Sequence, residues 1–189
     1  MESIPSKVPI RSVEDFKGVK MRAPTGAVSK LLERFGGAPV NLPGGEVYTS
    51  LEQGVLDATD WGTLSMNVDL GFEKVAPYAL YPGFHSMPAT DIVINMDRWN
   101  ELPDDLKQIV VVATRDFGRD MYQRLMIEDQ KIAQTADSIG LELIDWPTEE
   151  RRAFREAAAE VWQELAADSP MAKKIVDSQT EFLKQIGLL

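Results

Sequence analysis

The sequence predicts an α/β fold with a parallel-rich sheet, and three observations point to it. Between residues 18 and 61, segments of strand period and helix period alternate in the order β-α-β-α-β. Of the 189 residues 44% are hydrophobic, enough to fill one generous domain or two small ones. No internal repeat, low-complexity tract or apolar run long enough to cross a bilayer interrupts the pattern.

The elements follow in order. The opening to Ile10 reads as an extended lead-in. "SVEDFKG" carries a capping box, with Ser12 as N-cap and Asp15 three residues on. In "GVKMRAP", Val19 and Met21 alternate with Lys20 and Arg22, the period of a strand, and Pro24 ends it. "GAVSKLLERFGG" sets Val28, Leu31, Leu32 and Phe35 at helical spacing, and Gly36-Gly37 stops the helix. "APVNLP" is a short strand, "GGEVYTSLEQG" a second helix and "VLDATDW" a third strand. Residues 62–90 read as irregular and aromatic-rich, and "TDIVINM" returns to strand character. A long amphipathic helix then begins at Asp104 or Asp105, with Leu106, Ile109, Ala113, Phe117, Met121 and Leu125 in one stripe. Carried on to Gly140 it would reach roughly 54 Å at 1.5 Å per residue, whereas a compact chain of this length is about 40 Å across. Such a helix must kink (Gly118 is a candidate), cross a second lobe or pack on a partner. "LELIDW" is a further strand, and two helices close the chain, about 148–167 and 170–186, with Pro170 at the break.

Composition removes several function classes. The formal net charge of −10 opposes nucleic-acid binding, which needs a basic face to displace counterions. No basic amphipathic stretch suited to anionic lipid is present. The absence of cysteine excludes disulfides, thiolate zinc sites and cysteine nucleophiles. "MESIPSKVPIRS" has no apolar h-region, so an export signal is not expected within this chain.

In a parallel α/β sheet, ligands gather at the carboxyl ends of the strands. Arg22 ends the first of the alternating strands and Asp60-Trp61 the third, so the two places could share one rim. A guanidinium there is either a planar fork for a carboxylate or half of a surface ion pair. Asp60 could ligate a hard cation together with a neighbouring backbone carbonyl; equally, it could cap a helix while Trp61 enters the core. His85, the single histidine, stands in the Pro/Gly-punctuated loop "YPGFHSMP", where it could bond a ligand or the backbone. With one histidine, a site built from several imidazoles is impossible, and a Ser-His-Asp triad would depend on His85 alone. "LPGGEVYTSL" lacks the spacing and lysine of a phosphate loop and also lacks G-x-G-x-x-G. Gly44-Gly45 reads instead as a tight turn into a helix. The charges of "EERRAFREAAAEVWQELAAD" read as a solvated helix face.

Four stretches in order, "SVEDFKGVKMRAP", "LPGGEVYTSLEQGVLDATDWGT", "LGFEKVAPYALYPGFHSMP" and "INMDRWNELPDDLKQIV", resemble the solute-binding proteins of TRAP transporters, the DctP-like family. The resemblance runs from about Pro9 to Leu188 and is nearest to the subgroup that binds 2-oxo acids and related monocarboxylates. It implies a periplasmic binding protein-like (type II) lobe with a parallel-rich mixed sheet, a long inter-lobe helix and C-terminal helices. It implies a periplasmic receptor that captures an organic acid between two lobes and delivers it to a membrane permease. By position, Arg22 matches the arginine that pairs with the ligand carboxylate. Asp60 falls where the subgroup usually has Glu, and that acid with the Trp61 carbonyl matches ligands of a Na⁺ or Ca²⁺ ion bridging to the substrate. Phe84, His85 and Ser86 fall in the same pocket loop. The subgroup often has Glu at the position of Ser86, so this chain has one acid fewer for a cation. Family members are two-lobed and longer, which implies a ligand-binding lobe over residues 1–90. Residues 91–189 would then hold a hinge strand, the long helix and C-terminal helices that pack on a first lobe largely outside this chain. Self-association as a homodimer is one way to cover the surface so exposed. Two other readings stand beside this one: an α/β enzyme acting on an organic acid through Asp60 and His85, which lacks a G-x-S-x-G elbow, and a fragment that folds and binds nothing.

Overall fold

The computed structural model describes residues 1–86 and 91–189. Six strands form one mixed sheet: β1 (Ile4–Ser6), β2 (Lys20–Arg22), β3 (Ala38–Val40), β4 (Ala58–Thr59), β5 (Tyr78–Leu80) and β6 (Glu142–Ile144). Their spatial order is β3-β2-β4-β1-β5-β6. Strand β1 runs antiparallel to both its neighbours, β4 and β5, and all other pairs are parallel. The extended lead-in is therefore an inner strand. The expected alternation is present: α1 (Ala27–Arg34) joins β2 to β3, and α2 (Val47–Glu52) joins β3 to β4.

The pleat sends successive side chains to opposite faces. On one face Ile4, Met21, Leu80 and Ile144 pack with Ile10, Phe16 and Trp146. On the other, Ala79 joins Leu64, Ala136 and Leu141, and Val47, Leu51, Leu56 and Phe72 fill a neighbouring cluster. The Trp146 indole N–H donates to the Ile10 carbonyl at 2.8 Å, satisfying a buried donor. Helix α6 lays Ala158 and Val161 against Leu31 of α1, and Arg34 of α1 pairs with Glu160 and Glu164.

Several elements differ from expectation. "SVEDFKG" forms only a 3-10 turn, Val13–Phe16, in which the Asp15 carboxylate accepts from the Ser12 N–H at 3.0 Å. The segment read as irregular contains α3 (Leu64–Asp69) and β5. The threonine hydroxyl of Thr63 caps α3 by accepting from the Met66 N–H, and Gly71 follows in the left-handed region at φ 77°. Of the expected strand "TDIVINM", Thr90 lies outside the described residues. Residues 91–95 form no strand, because no strand among the described residues supplies a ladder, and Val93 is 89% exposed. Asn95 instead caps a short helix, α4 (Met96–Glu101), by accepting from the Asp97 and Arg98 N–H groups. The long helix α5 spans Asp104–Thr135 and continues through Gly118; Ala136–Ile139 is a 3-10 turn ending at Gly140. Helices α6 (Thr148–Ala166) and α7 (Pro170–Gln185) complete the chain, with Ser169 capping α7.

Candidate ligand-binding site

Strands β2 and β4 are parallel neighbours, with Arg22 opposite Thr59. That register brings the two strand ends to one rim. The Asp60 N–H donates to the Arg22 carbonyl at 2.9 Å, and the Arg22 Nη1 donates to the Asp60 carbonyl at 2.7 Å. The guanidinium also lies over the Trp61 ring, 5.2 Å from its centroid, a cation–π contact. Its Nε is buried and has no hydrogen-bond partner among the described residues. A buried donor without an acceptor is costly, so this fork is only partly used.

Asp60 is buried. Its Oδ1 lies 3.1 Å from the His85 Nε2, with side-chain exposures of 6% and 3%. His85 arrives on the loop after β5. Beneath it, the Glu2 N–H donates to the Ser86 carbonyl at 3.2 Å, which draws the start of the chain into the site. Ligand atoms of Glu2, Asp60 and His85 all lie within 4.8 Å of one another. Burial raises the Glu2 pKa above the ordinary carboxylate value; hydrogen bonding from Ser86 opposes this, and the charge of Asp60 adds to it. Two carboxylates this close repel each other unless a positive group joins them. This donor set fits a hard, oxygen-seeking cation, with His85 engaged by Asp60.

The structure thus brings Arg22, Asp60, Trp61, His85 and Ser86 together. Phe84 is partly buried and meets His85 edge-on, ring centroids 6.3 Å apart, while also packing against the core. Its ring lies 4.9 Å from that of Trp146 and 5.4 Å from that of Phe154, and Arg151 covers its face at 5.4 Å. Three residues of the site escape sequence reasoning. Glu2 carries no local motif, because the pairing of β1 with β4 and β5 delivers it. Gly44 looks like an ordinary turn glycine, but a Cβ there would overlap the Trp61 ring. Likewise a Cβ on Gly83 would overlap the Glu2 carbonyl, so the loop bearing His85 can approach the first strand only at a glycine. The Pro/Gly punctuation around both places was the available signal.

A family model described as bacterial extracellular solute-binding protein, family 7 (DctP), matches residues 1–169. The chain belongs to this family. It is a family of solute-binding proteins and not of enzymes, which removes the reading of Asp60 and His85 as catalytic groups. Among curated relatives of this DctP chain, the monocarboxylate 2-oxoacid-binding periplasmic protein of Nostoc sp. (strain PCC 7120) is 30% identical over 181 residues, covering 95% of this chain and 50% of that protein. A TRAP periplasmic solute-binding protein from Pseudoalteromonas atlantica, solved with bound sodium and pyruvate, is 32% identical, with a TM-score of 0.83 over 98% of this chain and 56% of its own. Another from Colwellia psychrerythraea, solved with calcium and pyruvate, is 32% identical, with a TM-score of 0.79 over 98% of this chain and 57% of its own. The chain spans about half the length of the curated relatives it matches. Those relatives are named as periplasmic proteins. Among the described residues no helix is long and apolar enough to cross a membrane.

Proposed function

We propose that this chain supplies the carboxylate-recognising part of a TRAP solute receptor for a small organic acid: a 2-oxo, hydroxy or aromatic monocarboxylate. The observation that carries the reading is the half-used Arg22 fork, whose buried Nε lacks a partner among the described residues beside an Nη1 already bound to the Asp60 carbonyl. A ligand carboxylate accepting from Nε would satisfy that donor and neutralise the guanidinium. The Trp61 ring stacks on the guanidinium and offers an apolar wall to the same ligand. Removal from water on lobe closure would strengthen the pairing. His85, 3.1 Å from Asp60, and Ser86 would border the acid.

A Na⁺ or Ca²⁺ ion, when bound, would be held by Asp60, the Trp61 carbonyl and Glu2, and would supply positive charge between these acids and the ligand carboxylate. The two pyruvate-bound relatives, one with sodium and one with calcium, support this part of the reading. In the whole receptor the site would face a cleft between two lobes in the periplasm, and the closed receptor would hand its ligand to the membrane permease subunits. Residues 91–189, with α5 and the C-terminal helices, would carry the hinge and the contact with the other lobe. For this chain by itself, a homodimer would cover the exposed apolar side chains of α5 and α7.

Native mass spectrometry of the purified protein tests the proposal. The expected result is a co-purified organic acid in the mass range of a small monocarboxylate, lost from Arg22→Ala, and a dimeric mass. A protein that carries no such acid and takes up none from a panel of 2-oxo, hydroxy and aromatic acids would refute it.

A further inference from the structure

The long helix α5 has one buried residue among its 32, and that residue is Asp129. The neighbouring acids pair with cations of their own helix, Asp120 with Arg124 and Glu128 with Lys131. Asp129 turns inward instead. Its Oδ1 accepts from the Ser65 N–H at 2.8 Å and from the Ser65 hydroxyl at 2.6 Å. Hydrogen bonds to an ionised acceptor are roughly twice as strong as neutral ones, and burial shields both from water.

Ser65 lies in the first turn of α3, four residues after Trp61. The segment between them is pinned at several points. Thr63 and Ser65 share a hydroxyl contact at 3.2 Å. The Gly62 carbonyl accepts from the Ser3 N–H at 2.9 Å and from Asn67 Nδ2 at 3.1 Å. Asn67 Nδ2 also donates to the Ser3 hydroxyl at 2.9 Å. Those bonds come from Ser3, just before β1, and from α3 itself. The bonds from Asp129 come from a helix that otherwise stands largely in solvent. Helix α5 meets the rest of the molecule chiefly along α3, where Gln130 also donates to the Tyr81 hydroxyl at 3.3 Å.

We infer that Asp129 is a positioning residue for the ligand site. It never touches the Arg22 fork; it fixes the start of α3 through Ser65, and thereby the Asp60–Trp61–Gly62 turn. Movement of α5 is then transmitted to the residues that line the site, and the order of the turn depends on one carboxylate of the long helix. The inference about ligand affinity rests on the reading of Arg22 and Asp60 given above, whereas the mechanical link does not.

Amide hydrogen exchange on the full chain tests the link without any ligand. In Asp129→Ala, the Ser65 amide should exchange about tenfold faster or more, the loss of one charged hydrogen bond. Residues 60–66 should share the acceleration, while the Ala38 amide, bonded to the Val19 carbonyl at 2.8 Å, keeps its rate. Asp129→Asn retains an oxygen acceptor without the charge and should give a smaller acceleration confined to the same residues. Unchanged exchange over 60–66, or an acceleration spread equally to Ala38, would overturn the inference; if Asp129→Ala does not fold, Asp129→Asn decides by the same criterion. Titration with pyruvate forms the second arm, where affinity should fall about tenfold in Asp129→Ala. Unchanged pyruvate affinity together with accelerated exchange would also overturn a role in the site. Failure of the wild type to bind pyruvate would count against the ligand reading alone, and the exchange result would still decide the link.

Discussion

The sheet and the long helix bury their apolar side chains very differently. Around the sheet, Ile10, Leu51, Leu56 and Val47 are sealed completely, and strands of two or three residues suffice because helices cover both faces. Along α5, Ile109 is 60% exposed and Phe117 58%, although their spacing makes a proper stripe. At 1.5 Å per residue, 32 residues reach about 48 Å, beyond the body that could cover them. In the proposed receptor this stripe is the face that would pack on another body. In this family the relatives are about twice as long. The apolar hollow of about 460 Å³ between Ile92, Ile94, Trp99 and Val111 lies at the same end.

The contrast can be broken by mutation. Leu51→Ala removes a side chain that is 0% exposed and should destabilise the chain by about 2–5 kcal/mol, read from urea unfolding. Gly44→Ala should cost less, about 1–3 kcal/mol, because the Trp61 ring that blocks the new Cβ can swing outward; a changed tryptophan emission with the fold retained would show it. On the other side of the contrast, Phe117→Ser should alter the stability of a monomer by less than about 0.5 kcal/mol, yet shift sedimentation toward the monomer. A large loss of stability there would mean that the helix is already packed.

The smallest effect concerns Tyr81, where the two regions meet. Burial raises its pKa above the ordinary value of 10.0, and the charge of Asp129 adds to the rise, against hydrogen bonding by Gln130. A group whose folded pKa is raised stabilises the fold fully below its unfolded pKa. That contribution is lost as pH climbs through the folded value, here above pH 10. Asp129→Asn should therefore lower the pH of the last phenol to ionise, followed by ultraviolet difference titration, while burial keeps it above the ordinary value.

Much of the fold was legible because periodicity is local. Met21 against Lys20 and Arg22 reveals a strand, and Leu31, Leu32 and Phe35 reveal a helix, whatever surrounds them. What stayed hidden depends on distant partners. Residues 4–6 form a central antiparallel strand only because β4 and β5 flank them. Residues 91–95 have strand-like side chains and, among the described residues, no strand to pair with. Helix α3 is six residues long, too short for a periodic signal to stand out. The site divides in the same way. Arg22 and Asp60 were readable as parallel strand ends, and the β2–β4 register joins them. Glu2 enters through tertiary pairing alone. Phe84 shares a loop with His85 and meets its ring edge-on, yet its packing against Trp146 and Phe154 depends on residues distant in sequence.

In the proposed receptor, Arg22 receives the carboxylate of a small organic acid. Calorimetric titration of the purified chain with pyruvate, in buffer containing sodium and calcium, tests it most directly. A saturable isotherm is expected for the wild type, with no detectable binding by Arg22→Ala and weakened binding by Arg22→Lys, which keeps the charge and loses the fork. Wild-type binding retained in Arg22→Ala would contradict it.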